Sequence, residues 1–184
     1  VSQIAEVVVG ASTIVTNLII ERKGVHTGLI TTEGFRDVID IGREMRYDVY
    51  DLSAPFPARL VSCGMREEIK ERIDYLGHVL QEPSDLEIEE VVRRLRSSGA
   101  QAIAVCLLHS YRNGVHEERV KSMAAKIAPE IPISLSSEVA GEIREYERTI
   151  ATVLNAYVMP KVGNYFGEIE RGLKDFGVNC TLQL

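Results

Sequence analysis

Hydroxyls, carboxylates and an imidazole recur in this sequence at one kind of place. Ser12-Thr13, Thr31-Thr32-Glu33, His109-Ser110-Tyr111 and Ser136-Ser137-Glu138 each follow a short apolar run that reads as a strand. In open α/β sheets, ligands bind beyond the carboxyl ends of the strands. Parallel strands would gather these clusters around one crevice, and hydroxyls beside helix N-terminal amides suit an anionic ligand such as phosphate. The same residue types cap helices and form turns, so each cluster has a structural reading beside the functional one. His109 stands between a ligand-facing and a structural role. The segment Glu142-Ile143-Arg144-Glu145-Tyr146-Glu147-Arg148 sets five charges around a tyrosine. It reads either as a solvated helix start or as a place where Arg144 or Arg148 holds an anion in the same crevice.

Other chemistries find no support. The phosphate-binding patterns GxGxxG and GxxxxGK[ST] and the nucleophile elbow GxSxG do not occur. His26, His78 and His116 have no partners at metal-ligand spacing and read as surface residues. Cys63, Cys106 and Cys180 form no CxxC pair, so neither a zinc site nor a disulfide framework is expected. Cys106, inside IAVCLL, reads as a buried, inert thiol.

The elements that must position the clusters alternate. Strands are expected over 5–9, 26–30, 60–73, 78–81, 101–108 and 133–136, and helices over 14–23, 36–43, 84–98, 115–128 and 147–176. Gly24 and Gly99 read as helix stops. Residues 46–59 read as an ordered loop, and 60–73 with 78–81 as a hairpin with one exposed, charged face. The third helix carries a Ser84/Glu87 capping box and an apolar stripe of Leu86, Val91, Val92 and Leu95. The run 101–108 lacks alternation, which favours a central, parallel, fully buried strand. Pro160 is expected to kink or split the last helix. The fold class is therefore α/β, a mixed and largely parallel sheet with flanking helices.

Composition bounds the rest. The 184 residues suit one domain, or one with a short piece of a second, and 45% apolar with 26% charged residues is ordinary for a globular chain. A net charge of −6 counts against nucleic acid as a partner. No apolar run is long enough to span a bilayer and no signal peptide is evident, so a cytoplasmic location is expected. The start at Val1 and the strand-like final residues read as cuts through a longer protein.

Four strings carry a resemblance: TIVTNLIIERKG (13–24), GLITTEGFRDVIDIGRE (28–44), AVCLLHSYRN (104–113) and SLSSEVAGEIREYERTIATVLNAYVMP (134–160). Together and in this order they resemble the hydantoinase A/5-oxoprolinase family, over the latter part of its N-terminal domain. The resemblance implies part of an actin-like ATPase domain, with residues 1–176 belonging to the N-terminal domain and 177–184 beginning the next. It implies a parent subunit that uses ATP and Mg²⁺ to open a small cyclic amide by carbonyl phosphorylation, beside a hydantoinase B-type partner subunit or domain. Ketone carboxylase subunits of the same superfamily are the alternative, and a non-catalytic binding or interaction domain is a third reading.

Carried over position by position, the resemblance marks Ser12, Thr13, Thr16 and Asn17 as the strand-to-helix element nearest the crevice. It also marks Thr31, Thr32, Glu33, Arg36 and Asp37 in TTEGFRD, and His109, Ser110 and Tyr111 in HSY. Ser137, Glu138, Arg144 and Arg148 complete the candidate nucleotide- or substrate-binding residues; no metal ligand is named. Two departures matter. The glycine-rich DxGGTxTD-like hairpin that opens the family's domain is absent, and Gly10-Ala11-Ser12-Thr13 stands where the family has His-Gly-Thr-Thr. Without that hairpin the isolated segment is expected to be inactive, to hold no tightly bound cofactor, and to expose apolar surface through which it could form a homodimer.

Overall fold

The computed structural model describes residues 7–9, 12–43, 48, 50, 51, 53, 54, 58–178 and 181–183. Gly10, Ala11 and much of the expected 46–59 loop lie outside these residues. The chain separates into two compact units: Val1–Val25 with Val158–Leu184, and His26–Tyr157.

The first unit holds strand β1 (Val7–Val9) and helix α1 (Ile14–Ile20). The helix is shorter than the expected 14–23, because Glu21 caps it and Arg22 (φ 53°) takes the left-handed turn assigned to Gly24. β1 pairs in parallel with the last strand, β8 (Thr181–Gln183).

The second unit is built on strands β2 (Thr27–Thr32), β3 (Arg66–Ile69), β6 (Ala102–Cys106) and β7 (Ile133–Leu135). They lie in the order β3-β2-β6-β7, every pairing parallel. β6 is buried along its whole length between β2 and β7, as its unalternating apolar run predicts. β2 extends two residues beyond its expected end, so Thr31 and Thr32 are strand residues and not part of the following turn.

The 60–73 region is not one strand. β3 joins the parallel sheet, while β4 (Arg72–Ile73) pairs antiparallel with β5 (Val79–Gln81) as a short separate hairpin. The charged sequence of β3 misleads because buried Arg66 is neutralised in place: its guanidinium donates to Asp40 and to the carbonyl of Val61. Asp40 lies on the short helix α2 (Val38–Ile41). Its bond to Arg66 holds its carboxyl below the usual carboxylate range, against the opposing effect of burial.

Helix α3 (Asp85–Ser97) covers the sheet with Ile88, Val91, Val92 and Leu95, a stripe at i, i+3, i+4 and i+7. Each buried side chain contributes about 1.5–3 kcal/mol. Leu86 is exposed and outside the stripe. Gly28 lets strand and helix approach, since a Cβ there would come within 3.1 Å of Leu95. Ser84 is the N-cap residue but its hydroxyl makes no capping bond, and Glu87 accepts instead from the Lys70 N–H at 3.2 Å, so the capping box does not form. Gly99, at φ +84°, ends the helix as expected. Helix α4 (Val115–Ile127) packs beside α3, and α5 (Ser136–Val139) follows β7 directly. The last helix, α6 (Glu145–Asp175), is one run containing Pro160.

Candidate functional site

All four strands of the second unit's sheet point the same way, so the segments after β2, β6 and β7 share its carboxyl edge. The Ser12-Thr13 cluster belongs to the other unit. At the shared edge, the chemistry-bearing side chains sort into two buried knots and an exposed fringe.

The first knot centres on Glu117, on the first turn of α4 and fully buried. Its Oε1 accepts from the Leu107 N–H (3.0 Å) and the Ser136 hydroxyl (2.6 Å). Its Oε2 accepts from the Ser137 N–H (2.8 Å) and the Ser137 hydroxyl (2.6 Å). One carboxylate thus ties the end of β6 to the start of α5. Arg148, on the first turn of α6 and 2% exposed, approaches from the other side. It donates to the carbonyls of Leu107 (2.8 Å) and Glu142 (3.0 Å) and to Ser136 Oγ (3.2 Å). Ser136 spends its single proton on Glu117, so Ser110, whose Oγ lies 2.9 Å away, must be the donor to Ser136. The Arg148 guanidinium also stacks 5.4 Å from the centre of the Tyr111 ring.

Cys106 lies at the foot of this knot, with the Thr149 hydroxyl 3.1 Å from Sγ. Burial pushes its thiol pKa up, against the pull of Arg148. The thiol is inert, as its apolar run implies.

The second knot centres on Glu71, between β3 and β4. It accepts from the Thr32 hydroxyl and, at 2.6 Å, from Nδ1 of His116 on α4. Thr32 Oγ1 in turn accepts from the Leu108 N–H at 2.9 Å. Neither Glu71 nor His116 is a surface residue: their side chains are 0% and 1% exposed. The surface reading of His116 is therefore corrected, because a buried carboxylate supplies the partner that sequence spacing could not reveal; His26 and His78 are exposed as expected.

The remaining predicted residues divide clearly. Thr31 is buried and donates to the Cys106 carbonyl at 2.9 Å, a link within the sheet. Glu33 and Asp37 are exposed, Glu33 3.9 Å from Lys70. Arg36 donates to the Cys63 carbonyl at 3.1 Å. Glu138 is paired on the surface with Lys121 at 2.6 Å. Arg144 is exposed and takes φ 87° just before α6, whereas Arg148 is buried in the knot. In the other unit, Ser12, Thr13 and Asn17 line a cavity of ≈ 230 Å³ with Lys23 and Tyr165; Thr16 is exposed and is not among its lining residues.

Sequence reasoning missed Glu117 and Glu71. Glu117 sits in a charged stretch, His116-Glu117-Glu118-Arg119, near the start of the expected 115–128 helix. Its only signal is position: the first turn of the helix that follows the most buried strand. Chemically, every carboxylate oxygen of both knots accepts a bond, while His116 Nε2 in the second is buried without a hydrogen-bond partner, 3.4 Å from the Glu82 carboxylate. Among the described residues no group of three or more His, Cys, Asp or Glu could hold a metal ion, and no helix is long and apolar enough to cross a membrane.

A family model described as the hydantoinase/oxoprolinase N-terminal region matches residues 1–128. The chain is 32% identical over 171 residues to caprolactamase subunit alpha of Pseudomonas jessenii, covering 92% of this chain and 25% of that one. To 5-oxoprolinase of Saccharomyces cerevisiae it is 29% identical, covering 88% of this chain and 14% of the relative. The crystal structure of the ATP-dependent caprolactamase from Pseudomonas jessenii superposes with a TM-score of 0.89 at 30% identity, over 96% of this chain and 26% of that one. A nucleotide-free acetone carboxylase structure superposes with a TM-score of 0.81 at 25% identity, over 92% of this chain and 26% of that one. The chain spans about a quarter or less of the length of these relatives.

Proposed function

The chain belongs to the hydantoinase/oxoprolinase family through its N-terminal region, and on that premise we propose that it is part of an ATP-dependent hydrolase that opens cyclic amides. The observation that carries this reading is the likeness to the ATP-dependent caprolactamase along 96% of the chain. Residues 1–176 would form a partial N-terminal domain and 177–184 the start of the next, within a soluble protein of the cytoplasm. A partner subunit of the hydantoinase B type would complete the assembly.

In this reading bound ATP would supply a phosphoryl group to the amide carbonyl oxygen, which would activate the carbonyl carbon toward water so that the ring C–N bond breaks with the ring nitrogen leaving; Mg²⁺ would accompany the nucleotide. The residues described do not fit a complete Mg²⁺–nucleotide site. Among the described residues no group of three or more His, Cys, Asp or Glu could hold a metal ion, and the buried Arg148 donors are turned inward to carbonyls and a hydroxyl. No chemical step is therefore routed through this chain. What its own residues do is fix the geometry of the sheet edge from which the candidate residues project.

The test is ATP hydrolysis by the full-length protein with its partner subunit, assayed with 5-oxoproline, a hydantoin and caprolactam. ATP-dependent ring opening of any of the three is the expected result; no turnover of any would sink the reading. A ketone carboxylase is the second reading, favoured by the acetone carboxylase superposition. Bicarbonate-dependent ATP hydrolysis with a ketone, and none with cyclic amides, would select it.

A further inference from the structure

The exposed fringe beside the first knot has an unusual charge balance. In a chain of net charge −6, most surface arginines here are matched: Arg43, Arg59, Arg93, Arg94, Arg96 and Arg119 each pair with a carboxylate. Arg112 is exposed, lies on the loop after β6 and, like the exposed Arg22, Arg144 and Arg171, has no carboxylate within 4.0 Å among the described residues. Its guanidinium stacks 5.7 Å from the centre of the Tyr111 ring, the same ring that Arg148 approaches to 5.4 Å. Two guanidinium groups thus approach one tyrosine ring, and the carboxylate of the knot, Glu117, is saturated by backbone and hydroxyl donors.

The same loop carries two further features that packing alone leaves unexplained. His109 takes a left-handed backbone (φ 59°), uncommon for a residue with a side chain. Its Nδ1 is buried without a hydrogen-bond partner among the described residues, while its ring lies 5.9 Å from Tyr111. Buried unsatisfied polar atoms and strained backbone gather at functional sites, and here they coincide with unmatched positive charge. The loop is also held from below: Arg148 bonds the Leu107 carbonyl, and Asn113 donates to the Gly77 carbonyl at 3.0 Å.

We infer that the His109–Arg112 loop is an oxyanion-recognition site, in which the Arg112 guanidinium contacts a carboxylate or phosphate group and Arg148 acts as the positioning residue beneath it. A planar guanidinium is suited to bidentate pairing with either anion. A ring carboxylate, as on 5-oxoproline, and a nucleotide phosphate present the same chemistry. Only the choice of the first probe rests on the cyclic-amide reading.

The experiment is calorimetric binding to the full-length protein, wild type and Arg112→Gln, with three probes: 5-oxoproline, its neutral carboxamide analogue, and Mg-ATP. Arg112 is exposed, so an unchanged melting temperature is expected and serves as the folding control. Loss of a charge-assisted bond weakens binding roughly tenfold. A loss of that size for 5-oxoproline, with the carboxamide unaffected, assigns the site to a substrate carboxylate. The same loss for Mg-ATP alone assigns it to phosphate. Changes below about twofold for every probe, or no binding of any probe by the wild type, overturn the inference. Because binding needs no turnover, an inactive protein whose 5-oxoproline or Mg-ATP affinity still depends on Arg112 defeats the proposed activity and leaves this site standing. Normal ring opening with unchanged affinities does the reverse.

Discussion

The two buried carboxylates at the carboxyl edge, Glu117 and Glu71, are satisfied by different means. Glu117 takes four bonds from neutral donors, two of them backbone N–H groups, and is linked to Arg148 through the Ser136 hydroxyl and the Leu107 backbone. Glu71 takes one hydroxyl and pairs directly with the His116 imidazole. The first arrangement holds backbone; the second holds side chain to side chain. A pair of buried side chains can be exchanged together for apolar ones of similar volume at little cost, whereas backbone donors remain and must still be satisfied.

The sharpest way to break this comparison is Glu117→Ala. It strands the N–H groups of Leu107 and Ser137 and two serine hydroxyls, and is expected to cost about 3–5 kcal/mol in urea denaturation. A loss below about 1 kcal/mol would show that water replaces the carboxylate and that the knot is not structural. Next is Arg148→Met, expected to cost about 3 kcal/mol by leaving the Leu107 and Glu142 carbonyls bare. Arg148→Lys should recover part of this but not the stacking on Tyr111.

The second knot should behave otherwise. His116→Ala alone is expected to cost about 3 kcal/mol, yet the double change Glu71→Leu with His116→Met should cost less than the single one. If the double variant is worse than the single, the distinction between the two knots is lost. The smallest effect belongs to the Arg66–Asp40 pair. The Asp40 carboxyl titrates below the ordinary carboxylate range, so its contribution is complete above the unfolded-state value near 4 and disappears as pH falls through the folded value. Melting temperature should therefore fall less steeply between pH 5 and 3 in Asp40→Asn than in the wild type. Equal slopes would remove Asp40 from the account.

The comparison also explains what sequence could and could not convey. The buried, unalternating run of β6 and the polar residues after each strand announced a parallel sheet with a chemically equipped edge, because both follow from local pattern. Thr31 and Thr32 were placed one step wrong, since strand ends depend on the neighbours that extend the ladder. Arg66, Glu71, His116 and Glu117 read as surface because charge implies solvent until a partner is known. Their partners lie 10 to 45 positions away for the bonds that matter most, Glu117 to Leu107 and His116 to Glu71. Leu86 failed in the opposite sense: it is apolar but off the stripe that Ile88 completes. The family resemblance added Thr16, Asn17, Arg36 and Asp37 to the residues that local pattern marks, and the structure separates those inside the knots (Thr32, Ser110, Ser137, Arg148) from those on the fringe (Glu33, Asp37, Glu138, Arg144).

The pairing of β1 with β8 has a consequence for the order of events during synthesis. The continuous segment His26–Tyr157 contains both partners of every strand pair in its own sheets, so it can fold as soon as it leaves the ribosome. β1 is made before this segment but must wait for Thr181–Gln183 before its ladder can close. Val7–Val9 are thus secured only after the segment that follows them has been made, and among the described strand pairs this ladder closes the longest loop. A nascent chain stalled before β8 would present an open strand edge to whatever chaperone or neighbouring chain it met first.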